Sequence, residues 1–345
     1  MERQLGDQKT RTGVIGLGVG AGHVAAYQSM ENADLIAICD SSEPWLKNRL
    51  DEWKVPNGYT DYREMLKNKD IDAVSIAVPT KQHAQVTIDA LQAGKHVLVE
   101  KPMAVTTAEA QEMADVAKKS GRTLMVSYNQ RFGQDVQFLK RYIEDGNLGD
   151  IYFARTQWRR PLGMLPPPMQ DRPTGAYNRN WFNEADNGGG VARDLGSHVI
   201  DIAMWLMGFP EVESVCGKAF NIFLPEWLEG TGFTGDADDH SVGLVKFKNG
   251  ACLQIEAAFG SYAEGETIVT EIFGSKGGVI RGGSPSPKLF SRASGTYTTI
   301  VPKLDEPNTS AQAEFVNAIQ SGREPVVTPE QGVAVTRIID GIYGK

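Results

Sequence analysis

Apolar residues follow two different rhythms along the chain. Up to about residue 128, short unbroken apolar runs alternate with segments of helical period. The runs at 12–17, 34–40, 71–78, 96–100 and 123–127 read as strands buried on both faces. Between them, 22–30, 44–53, 62–67, 82–93 and 107–120 read as helices, the last two stopped by Gly94 and Gly121. This alternation predicts an α/β fold built on a doubly wound parallel sheet.

Beyond residue 128 the rhythm changes. A helix over 134–145 is followed by a strand over 151–158, then by 159–187, which is rich in Pro, Gly and Asn and has no period. A stretch of that length reads as a functional loop. A helix over 195–207 ends at Gly208, and 213–299 is mostly strand, with Asn249-Gly250 as a hairpin turn. The region 329–343 reads as a helix still in progress at Lys345, as though a few residues follow. The second half is therefore expected to be an α+β domain with a large, mostly antiparallel sheet. The expected boundaries are 1–127 and 128–345.

Composition narrows the function classes. A chain of 345 residues suits two domains. Lys and Arg total 35 against 43 Asp and Glu, a net charge of −8, which disfavours nucleic acid as a partner. The three cysteines, Cys39, Cys216 and Cys252, lie far apart, so neither a disulfide framework nor a zinc site is expected. No apolar run reaches membrane-spanning length, and the polar start carries no signal-peptide core. A cytoplasmic setting, without membrane contact or a bound metal, is the expectation.

Chemistry enters at Gly16-Leu17-Gly18-Val19-Gly20-Ala21, which fits GxGxxG/A between the first strand and first helix. Gly16 allows the tight turn, Gly18 lets backbone approach a pyrophosphate, and Ala21 is expected to keep the helix close to the strand. Asp40 ends the second strand, 24 residues past Gly16. Its carboxylate suits ribose hydroxyls and repels a 2′-phosphate, and Ser41 brings no arginine, so NAD is favoured over NADP.

A second cluster, Glu100-Lys101-Pro102, ends a buried strand at the edge where open α/β sheets bind ligands. Together, VIGLGVGAGHVAAY, SIAVPTKQHAQ and AGKHVLVEKPMA resemble the Gfo/Idh/MocA family of glucose–fructose oxidoreductase and inositol dehydrogenase relatives. Gly188-Gly189-Gly190 followed by Asp194-Leu195-Gly196-Ser197-His198-Val199-Ile200-Asp201 is similar to the family's DxGxHxxD segment, and Tyr128-Asn129-Gln130-Arg131-Phe132 to its segment after the last strand of the first domain. Two departures stand out: His23 lies seven residues past Gly16, where eight is common, and the third motif position is Ala21. The resemblance implies a Rossmann domain followed by an α+β domain, with Lys101, Asp194 and His198 as catalytic residues.

Those residue types suit oxidation of a secondary hydroxyl. An imidazole's ordinary pKa suits His198 to the role of base, with Asp194 expected to orient it and Lys101 to stabilise developing charge on the reacting oxygen. Expected cofactor contacts are Gly16, Leu17, Gly18, Val19, Ala21, Asp40, Ser41, Pro79, Thr80, His83, Glu100, Lys101 and Asn129. Expected substrate contacts are Lys101, Trp158, Arg159, Tyr177, Asp194, His198 and His240, on a sugar, cyclitol or related polyol. The acidic run 236–240 lacks a calcium-loop pattern and reads as a loop entering a strand. Competing readings are a redox-assisted glycosidase and a non-catalytic sugar or dinucleotide sensor. A homodimer or homotetramer through the second domain's sheet is the expected assembly.

Overall fold

The computed structural model describes residues 9–162, 180–230, 232, 234–293, 295–304 and 309–345. By contact the chain divides into two units. Of the described residues, the first takes in those up to Tyr128 together with Ser310–Val333, and the second takes in the others. The segment Ser310–Val333, expected in the second domain, thus groups with the first.

The first unit contains β1 (Thr10–Ile15), α1 (Gly20–Ser29), β2 (Ala33–Cys39), α2 (Glu43–Trp53), β3 (Asn57–Tyr59), α3 (Tyr62–Leu66), β4 (Ala73–Ile76), α4 (His83–Gln92), β5 (His96–Val99), α5 (Thr107–Ser120) and β6 (Leu124–Val126). The strands form one parallel sheet in the order β3-β2-β1-β4-β5-β6. Order reverses between β1 and β4, the place where such sheets open a ligand crevice. Every residue of β4 is buried, which explains its unbroken apolar run. A capping box between Thr106 and Glu109 starts α5, and Gly121, at φ 65°, ends it.

The second unit contains α6 (Gln134–Glu144), β7 (Ile151–Pro161), α7 (Ser197–Leu206), β8 (Val212–Phe220), α8 (Leu224–Leu228), β9 (His240–Phe247), β10 (Cys252–Ser261), β11 (Thr267–Gly274), β12 (Gly277–Arg281), β13 (Lys288–Ala293) and β14 (Thr296–Ile300). Its strands form one eight-stranded sheet ordered β14-β13-β12-β11-β7-β10-β9-β8, antiparallel except where β7 pairs with β10. One face is covered: α7 packs on β7, β10 and β11. The other is open, since β9 alternates buried Ser241, Gly243, Val245 and Phe247 with exposed Val242, Leu244 and Lys246.

Two helices close the chain: α9 (Ala311–Ser321) and α10 (Pro329–Ile342). The sequence reading missed α9, although Ser310 caps its start by accepting from Ala313 N. The end of α10 is closed by backbone bonds around Gly344, at φ 74°, with Lys345 N donating to Asp340 O at 2.9 Å. Among the described residues no helix is long and apolar enough to cross a membrane.

Candidate active site

In the first unit the turn after β1 is dictated by sterics. Gly16 sits at φ 89°, and a Cβ there would lie 2.6 Å from the Ala77 carbonyl oxygen. Close packing of helix on strand falls to Gly20, whose added Cβ would lie 2.9 Å from Val14 Cγ1. Ala21, expected to carry that contact, is half-buried one position further on. Leu17 is buried and Val19 is 45% exposed. The start of α1 has no side-chain cap and no acid in its first turn, so its N–H groups suit a phosphate. Asp40 is held in place by two amides: Leu17 N donates to Oδ2 and Ser42 N to Oδ1, each at 3.0 Å. Ser41 beside it is exposed. These residues fit a dinucleotide with free ribose hydroxyls.

The strand end at Glu100 is built from beneath. His23 Nε2 lies 2.9 Å from Glu100 Oε1, and its Nδ1 lies 3.0 Å from Ser75 Oγ, which is 2.7 Å from Tyr27 Oη. Lys101 N donates back to Glu100 Oε2 at 3.2 Å. Burial pushes the Glu100 carboxyl up, but the His23 hydrogen bond and the Lys101 charge outweigh it and hold it down at about 2. His23, of uncertain role in the sequence, therefore anchors the acid beside Lys101.

His83 differs from expectation. It is 1% exposed, and its ring nitrogens lie 2.8 Å from Pro102 O and 2.9 Å from Val78 O. With both nitrogens against backbone carbonyls, it pins the turn after Lys101 to the end of β4. Pro79 is half-buried and Thr80 buried at the same strand end. Asn129 is exposed and opens the second unit, in the turn Asn129–Phe132.

In the second unit, Asp194 lies in a π-turn, Ala192–Gly196, that runs directly into α7. Such widened turns recur at functional sites. Asp194 and His198 are half-buried while their neighbours are buried. The His198 ring lies 5.7 Å, centroid to centroid, from the Trp158 indole. Trp158 Nε1 donates to Glu266 Oε1 at 2.8 Å, and Arg160 Nε donates to the same oxygen at 3.1 Å.

Arg159 and His240 do not join this group. Successive strand residues face opposite ways, so Arg159 lies on the other side of β7 from Trp158. There Glu256 Oε1 lies 3.8 Å from Arg159 Nη1 and 3.3 Å from His240 Nε2, while Gln157 Nε2 donates to Oε2 at 2.7 Å. On the Trp158 side the charged pair is Arg160 and Glu266. The period-two alternation of β7 carried the signal for Arg160; nothing local marked Glu266. Tyr177 lies outside the described residues.

Asp201, the last acid of the motif, is paired with Arg131 from the 128–132 segment: Arg131 Nε donates to Asp201 Oδ2 at 2.8 Å, and both are at most 1% exposed. It is a structural tie within the second unit. Among the described residues no cluster of His, Cys, Asp or Glu is arranged to hold a metal.

Comparison with known proteins places this geometry. Residues 10–128 match a model described as an oxidoreductase family NAD-binding Rossmann fold, and 136–280 match the GFO/IDH/MocA C-terminal domain. The D-glucoside 3-dehydrogenase of Escherichia coli is 28% identical, covering 99% of this chain and 97% of its own. The myo-inositol 2-dehydrogenase of Thermotoga maritima is 28% identical, covering 93% and 92%. A solved levoglucosan dehydrogenase, in complex with NADH and levoglucosan, superposes with a TM-score of 0.83 at 25% identity, covering 98% and 97%.

Proposed function

The chain belongs to the Gfo/Idh/MocA family of NAD-binding oxidoreductases, and from that premise we propose that it oxidises a secondary hydroxyl of a sugar or cyclitol, with His198 as general base. When bound, NAD accepts a hydride from the substrate carbon. The substrate's hydroxyl proton goes to His198, leaving a carbonyl. Asp194, four residues earlier, orients the imidazole and stabilises its charged form. Lys101 hydrogen-bonds the reacting oxygen. Trp158 offers an apolar face to sugar C–H bonds, while Arg160 and Glu266 present a donor and an acceptor for hydroxyls.

The observation that carries this reading is the surroundings of His198: a half-buried imidazole against an indole that Glu266 fixes by its N–H. Relatives covering nearly the whole chain are named for oxidising glucosides and inositols, which supports the substrate class. The open face of the eight-stranded sheet, with Val242 and Leu244 37% and 44% exposed, supports a homodimer or homotetramer. Cys39, Cys216 and Cys252 are all free thiols, which supports a cytoplasmic setting.

The test is an NAD-reduction screen over sugars, inositols and sugar acids, with NADP in parallel. NADH formation with NAD preferred by about tenfold or more is expected from Asp40. A preference for NADP removes the role given to Asp40. Bond cleavage without net NADH removes the dehydrogenase reading.

A further inference from the structure

The acidic run 236–240 reads in the sequence as a loop entering a strand, and its carboxylates hold backbone: Asp236 accepts from Ala185 N, Asp238 from Ala192 N and Asp239 from Phe223 N. Asp238 is the one aimed at the catalytic turn. Its Oδ2 accepts from Ala192 N at 3.0 Å and from Ser241 Oγ at 2.6 Å. Its Oδ1 accepts from Tyr343 Oη at 2.6 Å, and its main-chain carbonyl accepts from Val191 N at 2.9 Å. Asp238 is 6% exposed, so each contact forms away from water. The first N–H groups of a helix have no partner within the helix. Here Asp238 alone satisfies those of Val191 and Ala192, immediately before Asp194.

Two neighbours tighten the arrangement. A Cβ on Gly190, at φ 104°, would overlap Asp238 Oδ1 and sit 3.0 Å from Tyr343 Oη, so only glycine lets the carboxylate in. Arg193, inside the turn, donates to Ala185 O and Gly189 O at 3.2 Å and stacks 4.6 Å over the Tyr343 ring. The turn is thus clamped by a strand entrance on one side and by the residue after α10 on the other.

We propose that Asp238, oriented by Tyr343 and Ser241, is a positioning residue that sets the placement of Asp194 and His198. The proposal rests on the catalytic reading of that turn. It makes a specific demand: what matters is an acceptor at Ala192 N, not a charge. An amide meets that demand, because Asn at this position can turn its oxygen to Ala192 N and Ser241 and donate its NH2 to Tyr343 Oη.

The test compares Asp238→Ala, Asp238→Asn and Tyr343→Phe with the natural protein, scoring kcat per NAD-binding site, KM, the pH profile of kcat and hydrogen exchange over 188–200. Asp238→Ala is expected to lower kcat about 100-fold with KM changed about threefold or less, and to shift the acid limb of the profile. Asp238→Asn restores kcat to within about threefold, and Tyr343→Phe loses about fivefold. A merely structural role lowers the folded fraction but leaves kcat per NAD site and the pH profile untouched, and that result overturns the proposal. If Asp238→Ala does not fold, Tyr343→Phe decides, and unchanged kcat overturns it. If the natural protein oxidises no polyol, the functional reading has failed, and exchange decides this one separately. Faster exchange at 191–195 in Asp238→Ala or Tyr343→Phe, with Asp238→Asn protected, supports it; equal exchange in all overturns it.

Discussion

Glu100 in the first unit and Asp238 in the second each hold a turn that bears a proposed catalytic residue, but they meet different neighbours. Glu100 receives a hydrogen bond from His23 and sits beside the Lys101 charge, so its carboxyl is held at about 2 in spite of burial. Asp238 receives a backbone amide and two hydroxyls, with no cation among them, and burial pushes its carboxyl up. The first anchor is built around a negative charge; the second is built around lone pairs. Burial pushes both of these carboxyls up, and the difference between the two lies in their partners. The two anchors should therefore respond oppositely to acid and to neutral replacement.

Three substitutions break or sharpen that contrast. The largest effect belongs to Arg131→Met, which strips the cation from Asp201. This asks whether a charged anchor in the second unit depends on its partner as Glu100 does. Both groups are at most 1% exposed, so the stranded carboxylate should cost about 3–5 kcal/mol in chemical denaturation. A loss under about 1 kcal/mol would mean that the pairing contributes little.

Next comes His23→Leu, expected to cost about 2–3 kcal/mol at pH 7. The sign with pH follows from the direction of the shift. Glu100's folded value lies below its ordinary 4.5, so its stabilisation is complete above that pH and is lost as pH falls toward about 2. The gap between His23→Leu and the natural protein should accordingly narrow in denaturation curves between pH 5 and pH 3. A gap independent of pH would show that His23 acts by packing alone.

The smallest effect is Asp238→Asn, within about 1 kcal/mol of the natural protein at pH 7. Asp238's folded value lies above its ordinary 3.8, so the natural protein loses stability as pH rises through that window. Asparagine removes that dependence, and the stability–pH curve should flatten on the acid side. A loss as large as that of His23→Leu would place Asp238 with the charged anchors.

Much of this was legible in the sequence. Five of the six strands of the first sheet announced themselves because both faces are covered, while the three-residue edge strand β3, largely exposed, did not; the turn at Gly16 was legible because only glycine tolerates its φ beside Ala77. Trp158 and Arg159 could not both face one ligand, because adjacent strand residues point to opposite faces. The roles of His23, His83 and Asp238 were hidden for a different reason. Their partners, Glu100, Pro102, Ala192 and Tyr343, are brought to them by the sheet and the chain reversals, from 19 to 105 residues away. Residue type and local spacing carry no trace of such pairings. α9 carries one local start signal, the Ser310 cap, and no glycine or proline marks its first turn.

The central claim is that His198 removes the proton from a polyol hydroxyl. The direct measurement is kcat for His198→Ala on the best substrate of the NAD screen, with NAD affinity measured on the same preparation. The account predicts a fall in kcat of about 10²–10⁴-fold with NAD affinity unchanged within about twofold. Turnover close to that of the natural protein, with NAD still bound, would contradict it.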